Sequence, residues 1–110
     1  MANTFKNASL QDVSNSSYDT LYTAPGATTT VVLGVALCNK SASGITVSLR
    51  FTDSSASTNT LVLNEVNIPG DTTLEVLAGQ KYILETGDSL ALQAGAASAL
   101  DVTLGIMEIT

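Results

Sequence analysis

A chain of 110 residues, 45% of them hydrophobic, suffices for one domain with one core and leaves no room for a second. Its formal net charge is −6, and Lys6, Lys40, Arg50 and Lys81 are its only bases. That balance disfavours direct nucleic-acid binding and anionic membrane surfaces, both of which need clustered cations.

Charged residues make up only 13% of the chain, and Ser, Thr, Asn and Gly supply most of the polarity. Such a composition suits short strands joined by polar turns better than helices paired through Glu and Lys. The first residues, MANTFKNASLQD, lack the basic and apolar blocks of a secretion signal, so cytoplasmic synthesis is expected. The longest apolar run, Val31 to Cys38, falls far short of the ~20 residues that span a bilayer.

Taken in order, Thr4 to Asp12 alternates weakly, with Phe5 and Leu10 as its large apolar residues, and reads as an edge strand or an arm. Residues 1–17 form this N-terminal unit, and residues 18–110 the sandwich domain. Tyr18 to Ala24 predicts a strand with Leu21 between two tyrosines. Pro25-Gly26 suits the central positions of a type II turn, since glycine tolerates a positive φ at the second. Thr28 to Asn39 is the most strand-like segment. Strict alternation there puts Val31, Leu33, Val35 and Leu37 in the core and Val32, Gly34, Ala36 and Cys38 on a second face, small enough for another sheet, loop or subunit to approach closely.

Ile45 to Asp53 is a half-buried strand with Ile45, Val47, Leu49 and Phe51 inward. Leu61 and Leu63 start the next strand, but Val66 and Ile68 have the opposite parity, so a β-bulge or a crossing between sheets is expected near Asn64 and Glu65. Pro69-Gly70, Ala78-Gly79 and Gly87-Asp88 then mark turns between short strands. Leu100, Val102, Leu104 and Ile106 alternate, with a slip at Met107 before Ile109. About nine strands at roughly 8–12-residue spacing, without a helix, predict an all-β sandwich or jelly roll, with an open barrel as fallback.

Catalytic chemistry finds little support. The chain has no histidine, which removes Ser-His and Cys-His nucleophile activation. The carboxylates Glu65, Glu75, Glu85, Glu108, Asp71, Asp88 and Asp101 could form an acid–base pair, but there is no tryptophan and little else aromatic to line a sugar subsite. They read as solvated strand positions and turn caps, and no enzymatic activity is expected. Asp53 to Ser57 and Asp71 with Thr72 lack the spaced acidic series of a calcium loop, so no cofactor is expected. Cys38, the only cysteine, reads as a buried, inert thiol. The Asn-x-Ser sequons at Asn7, Asn15 and Asn39 follow from the composition.

The succession YTAPGATTTVVLGVALCN, LRFTDSS, IPGDTTLEVLAGQKYILETGDSLALQA and ALDVTLGIMEIT resembles small virion structural proteins of tailed bacteriophages. The resemblance covers nearly the whole chain from about Leu21, and its motifs are strand-and-turn patterns with no catalytic residues to carry over. It implies a β-sandwich present in many copies: a capsid cement or decoration protein clamping neighbouring capsid subunits, or else a tail, neck or baseplate component. A glycan-binding module on the virion surface is the alternative from another class. The expected partners are further copies in a homo-oligomer such as a trimer, the major capsid protein, or other virion proteins. The expected contact residues are Phe5, Leu10, Tyr22, Val32 and Ala36, which combine strand addition by the N-terminal segment with apolar contact.

Overall fold

The computed structural model describes residues 2–77 and 81–110 of the chain. The expected Ala78-Gly79 turn lies outside them. Nine strands form: β1 (Asn3–Leu10), β2 (Asp19–Thr23), β3 (Thr29–Asn39), β4 (Ile45–Asp53), β5 (Thr58–Ile68), β6 (Thr72–Glu75), β7 (Tyr82–Leu84), β8 (Ser89–Ala94) and β9 (Leu100–Ile109). They build two antiparallel sheets, ordered β1-β9-β3-β6 with β7 also on β3, and β2-β8-β4-β5. We call these sheet I and sheet II.

The pairing is nested. β4 pairs with β5, β3 with β6 and β7, β2 with β8, and β1 with β9, so the chain runs as one long hairpin with its tip between β4 and β5. Rolling that hairpin adds the pairs β3·β9 and β4·β8 and separates the ribbon into two facing sheets. This is the strand order of a jelly roll, with its sixth strand divided into β6 and β7.

Hydrophobic burial holds the sheets together. Val35 and Leu37 of β3 and Leu100, Val102, Leu104 and Ile106 of β9 face Val47 and Leu49 of β4, Leu90 and Leu92 of β8, and Ile68 of β5, all of them buried. Period-2 alternation produces this inner layer, because a half-buried strand presents every second side chain to the opposing sheet.

Bulges break that alternation. The one expected near Asn64 and Glu65 is present: Glu65 has φ 50°, the β4·β5 register shifts there, and the Glu65 N–H is satisfied by Ser48 Oγ at 3.0 Å. A second irregularity at Val62 turns Leu61 outward while Leu63 packs on the core. A third was not anticipated. Leu33 is an extra residue between the Val32–Ile106 and Gly34–Gly105 pairs. It shifts the parity, so Val32 is fully buried, Val31 is half-exposed and Leu33 is 40% exposed, the reverse of strict alternation. Strand β9 is the opposite case: the expected slip at Met107 does not occur, and alternation continues to place Glu108 inward.

The Pro-Gly turns also differ from expectation. Neither Gly26 nor Gly70 has a positive φ; the left-handed residues are the next ones, Ala27 at 55° and Asp71 at 56°. Gly70 is instead required by close approach, since a Cβ there would collide with the Ala42 carbonyl. At Gly87 the reason is conformational, φ being 88°.

Buried polar clamps lock the loops. Asn39, with no exposed surface, donates through Nδ2 to the carbonyls of Ser43 and Ile68 at 2.9 Å each and Pro69 at 3.2 Å, and its Oδ1 accepts from Ser41 N–H and Oγ. A sequon asparagine in that position cannot serve as a glycan acceptor. At the opposite end the buried Asp88 carboxylate accepts from the N–H groups of Ser54 and Glu85 at 3.0 Å, tying the β7–β8 turn to the β4–β5 loop. Its role as a turn cap matches the sequence reading.

Candidate interaction surface

The two outer faces of the sandwich differ in chemistry. On sheet II the outward positions include Thr46, Arg50 and Thr52 of β4 and Ser89 and Gln93 of β8, with Arg50 stacked on the Tyr18 ring at 4.2 Å. Leu61 of β5, 50% exposed opposite Arg50, is the large apolar residue on this otherwise solvated face. On sheet I the cross-strand register aligns Ile83 of β7, Val31 of β3, Met107 of β9 and Phe5 of β1 in one outward row. Ile83 is 52% and Phe5 73% exposed, and the bulge adds Leu33 beside them. The next inward-of-edge row on the same face pairs Gly34 with Gly105 and Gly105 with Asn7, and the one beyond pairs Ala36 with Thr103 and Thr103 with Ser9. An apolar strip thus borders a shallow depression of about 230 Å³ lined by Gly34, Ala36, Thr103 and Gly105, with the Glu75 carboxylate among its lining residues.

The five expected contact residues divide accordingly. Phe5 and Ala36 share this outer face. Val32 does not: the Leu33 bulge turns it into the core, where no partner can reach it. Leu10 packs half-buried against the core from β1. Tyr22 reaches across the gap between the sheets. Cys38, expected to be buried, is half-buried on the outer side of β3, because the residues after the bulge keep Gly34, Ala36 and Cys38 outward. Val31, Leu33, Ile83 and Met107 were not recognisable as surface residues. For Val31 and Leu33 the missing signal was the bulge, and Gly34 beside it was the only local hint.

The N-terminal segment is the edge strand of sheet I, with all of Asn3 to Leu10 paired to β9. Its other edge is free of strand partners among the described residues, and Asn3, Asn7 and Ser9 are polar positions on its outward side.

Glu108 is the one expected solvated carboxylate that turns inward. It is 6% exposed, accepts from the Tyr22 hydroxyl at 2.5 Å and pairs with Lys6 at 2.8 Å; Tyr22 Oη in turn accepts from Thr30 Oγ1 at 2.8 Å. The Lys6 ammonium, then the Tyr22 hydroxyl, hold its carboxyl below the usual range, against the opposing effect of burial. Burial, with the Glu108 hydrogen bond second, pushes the Tyr22 phenol up to about 12. A carboxylate kept ionised and a phenol kept protonated cannot exchange roles as acid and base near neutrality. The cluster instead joins β2 of sheet II to β9 and β3 of sheet I.

At the far end, Lys40 bridges Asp12 at 2.5 Å and Asp101 at 2.9 Å, and Asp101 also accepts from the Asp12 N–H. The Asp12 N–H and then Lys40 lower the Asp101 carboxyl, while the two acids raise Lys40. Among the described residues no three His, Cys, Asp or Glu side chains are grouped to hold a metal, and no helix is long and apolar enough to cross a membrane. A cleft of about 440 Å³ between β5 and β7, lined by Phe51, Leu61, Val62, Tyr82, Ile83 and Lys81, contains no carboxylate to pair with its lysine.

The chain matches no protein-family model, and no curated protein is significantly similar to it in sequence.

Proposed function

We propose that the protein is a non-enzymatic structural component of a bacteriophage virion, foremost a capsid cement or decoration protein that clamps neighbouring capsid subunits. The observation that carries this reading is the contrast between the two outer faces: sheet II exposes the single large apolar side chain Leu61 among mostly polar ones, whereas sheet I presents Ile83, Val31, Met107, Phe5 and Leu33 to its surroundings. A sandwich with one apolar outer face is a building block, because exposed apolar patches of this kind mark contact with other macromolecules. The resemblance of the strand-and-turn succession to small virion proteins supplies the setting. The free edge of β1 adds a second means of attachment, by strand addition to a capsid subunit.

Quantifying the protein in purified particles tests the reading. Cement is expected in many copies, comparable to the capsid subunits, and to rebind particles that lack it. A handful of copies moves the protein to the tail, neck or baseplate, and its absence from particles refutes a virion role.

A further inference from the structure

We propose that β1 is an exchangeable strand: it swings out at Gln11-Asp12 and docks on β9 of a second copy, whose own β1 crosses in return. The inference goes beyond the virion reading and does not rest on it, since it concerns only how two copies of the chain join.

The strand is held lightly to its own domain. No residue from Asn3 to Leu10 is buried. Of its inward positions, Ala8 and Leu10 pack on the core, and both stay partly exposed; Lys6 is spent on the ion pair with Glu108. An edge strand with so few buried apolar contacts belongs to the least stable part of a fold and opens before the remainder.

The pivot is sharply defined. Val13, the first buried residue after β1, has no exposed surface and donates its N–H to the Leu100 carbonyl at 3.0 Å, and the Ser14 carbonyl accepts from the Ala94 N–H at 3.0 Å. The grip of the body on the chain therefore ends at Val13, and the two exposed residues before it, Gln11 and Asp12, are the hinge. Asp12 has φ 55°, in the left-handed region. Aspartate tolerates that conformation better than most residues, but an extended hinge removes its cost altogether.

A second copy is the occupant that fits the edge β1 leaves. With β1 swung out, β9 presents an unpaired edge and Glu108 loses Lys6. Another copy's β1 restores all of it: the eight register pairs from Asn3–Ile109 to Leu10–Val102, the Lys6–Glu108 bridge and the Ala2–Thr110 backbone bonds. The complementarity is already present, because the same surfaces meet within one chain. The geometry closes as well. The chain leaves the body beside Leu100 and enters its ladder beside Val102, so two copies related by a two-fold axis at their hinges exchange strands without any added length. Closure within one chain has the advantage of an effective concentration on the order of millimolar, and exchange becomes visible at comparable protein concentration.

The test is sedimentation of the purified full chain at about 1 mM, combined with mixing of single-cysteine variants in a Cys38→Ser background. A dimer is expected, in which Ser9→Cys on one molecule links to Thr103→Cys on another, its cross-strand partner, whereas Ser9→Cys mixed with Met107→Cys, out of register, does not link. Asp12→Val places a β-branched side chain where φ is positive and should raise the dimer association constant about tenfold or more. Asp12→Asn tolerates that φ and lacks only the charge that meets Lys40, so its constant should stay near the parent's, an exposed ion pair being worth little. Asp12→Gly relaxes the closed hinge, should lower the constant, and serves as the comparison where the valine variant fails to fold. A parent chain that stays monomeric, a dimer that forms without the Ser9–Thr103 link, or a dimer indifferent to these hinge substitutions overturns the proposal. Entry into particles is read separately: a monomer that enters particles refutes only the exchange, and a dimer that never does refutes only the virion role.

Discussion

Asn39 shows how much one buried side chain can organise. Its amide satisfies the Ser43, Ile68 and Pro69 carbonyls and the Ser41 N–H, groups from the β3–β4 loop and the β5–β6 turn that would otherwise be left unpaired. Asn39→Ala should cost about 3 kcal/mol, visible as a drop of roughly 10 °C in Tm, because buried polar groups lose their partners as well as a bond. The titrating residues predict the pH response. Glu108, Asp101 and Asp53 are all depressed in the fold, Asp53 chiefly by the Ser55 hydroxyl. Their contribution is full above the ordinary carboxylate range, about pH 4, and is lost as pH falls through the lowered values. Tyr22 and Lys40 are raised, so theirs is full below about pH 10 and is lost as pH rises, for Tyr22 through about 12. Tm measured against pH should show a plateau between these limits, with Glu108→Gln flattening the acid side and Tyr22→Phe the alkaline side. Equal slopes in variant and parent would remove the cluster from the account.

At the scale of the element, the bulge in β3 decides what the surface is. Leu33 is the extra residue: Val32 opposes Ile106, Gly34 opposes Gly105, and Leu33 has no place in the ladder. Deleting it should restore regular pairing with Val32 still inward and Gly34 still outward, so the variant is expected to fold with a modestly lowered Tm. Deleting Ala36 instead, in a regular stretch, would reverse the facing of one side of the strand and abolish the cooperative transition. Circular dichroism melts of the two deletions distinguish the cases. Alternation in Ile45–Phe51 and Leu100–Ile106 was readable because those positions keep one parity throughout. In β3 every residue from Val31 to Cys38 is apolar or small, so a one-residue slip leaves the composition of each face plausible and the parity undetermined.

At the scale of the molecule, the nested hairpin makes most pairings long-range: β1 meets β9 only after the chain has made the entire roll. Such topologies fold slowly, since loop closure precedes the contacts that reward it. The same geometry places the first and last strands side by side in sheet I, and thereby sets Phe5 next to Met107. No local sequence window contains that juxtaposition. It is also why Tyr22 and Glu108, 86 positions apart, share a hydrogen bond.

Local composition alone determined that the chain is all-β, that its turns fall at Pro-Gly and Gly-Asp, that β5 is bulged near Glu65, and that the usual histidine-dependent chemistries are missing. Each of these follows from side-chain type and spacing within a few residues. Tertiary structure decided the inward turn of Glu108, the burial of Val32 and Asn39, and the apolar row across the outer face of sheet I. Those depend on which strands lie side by side and in what register, and register is set by bulges and by the roll of the whole ribbon, neither of which is encoded in the spacing of any single strand.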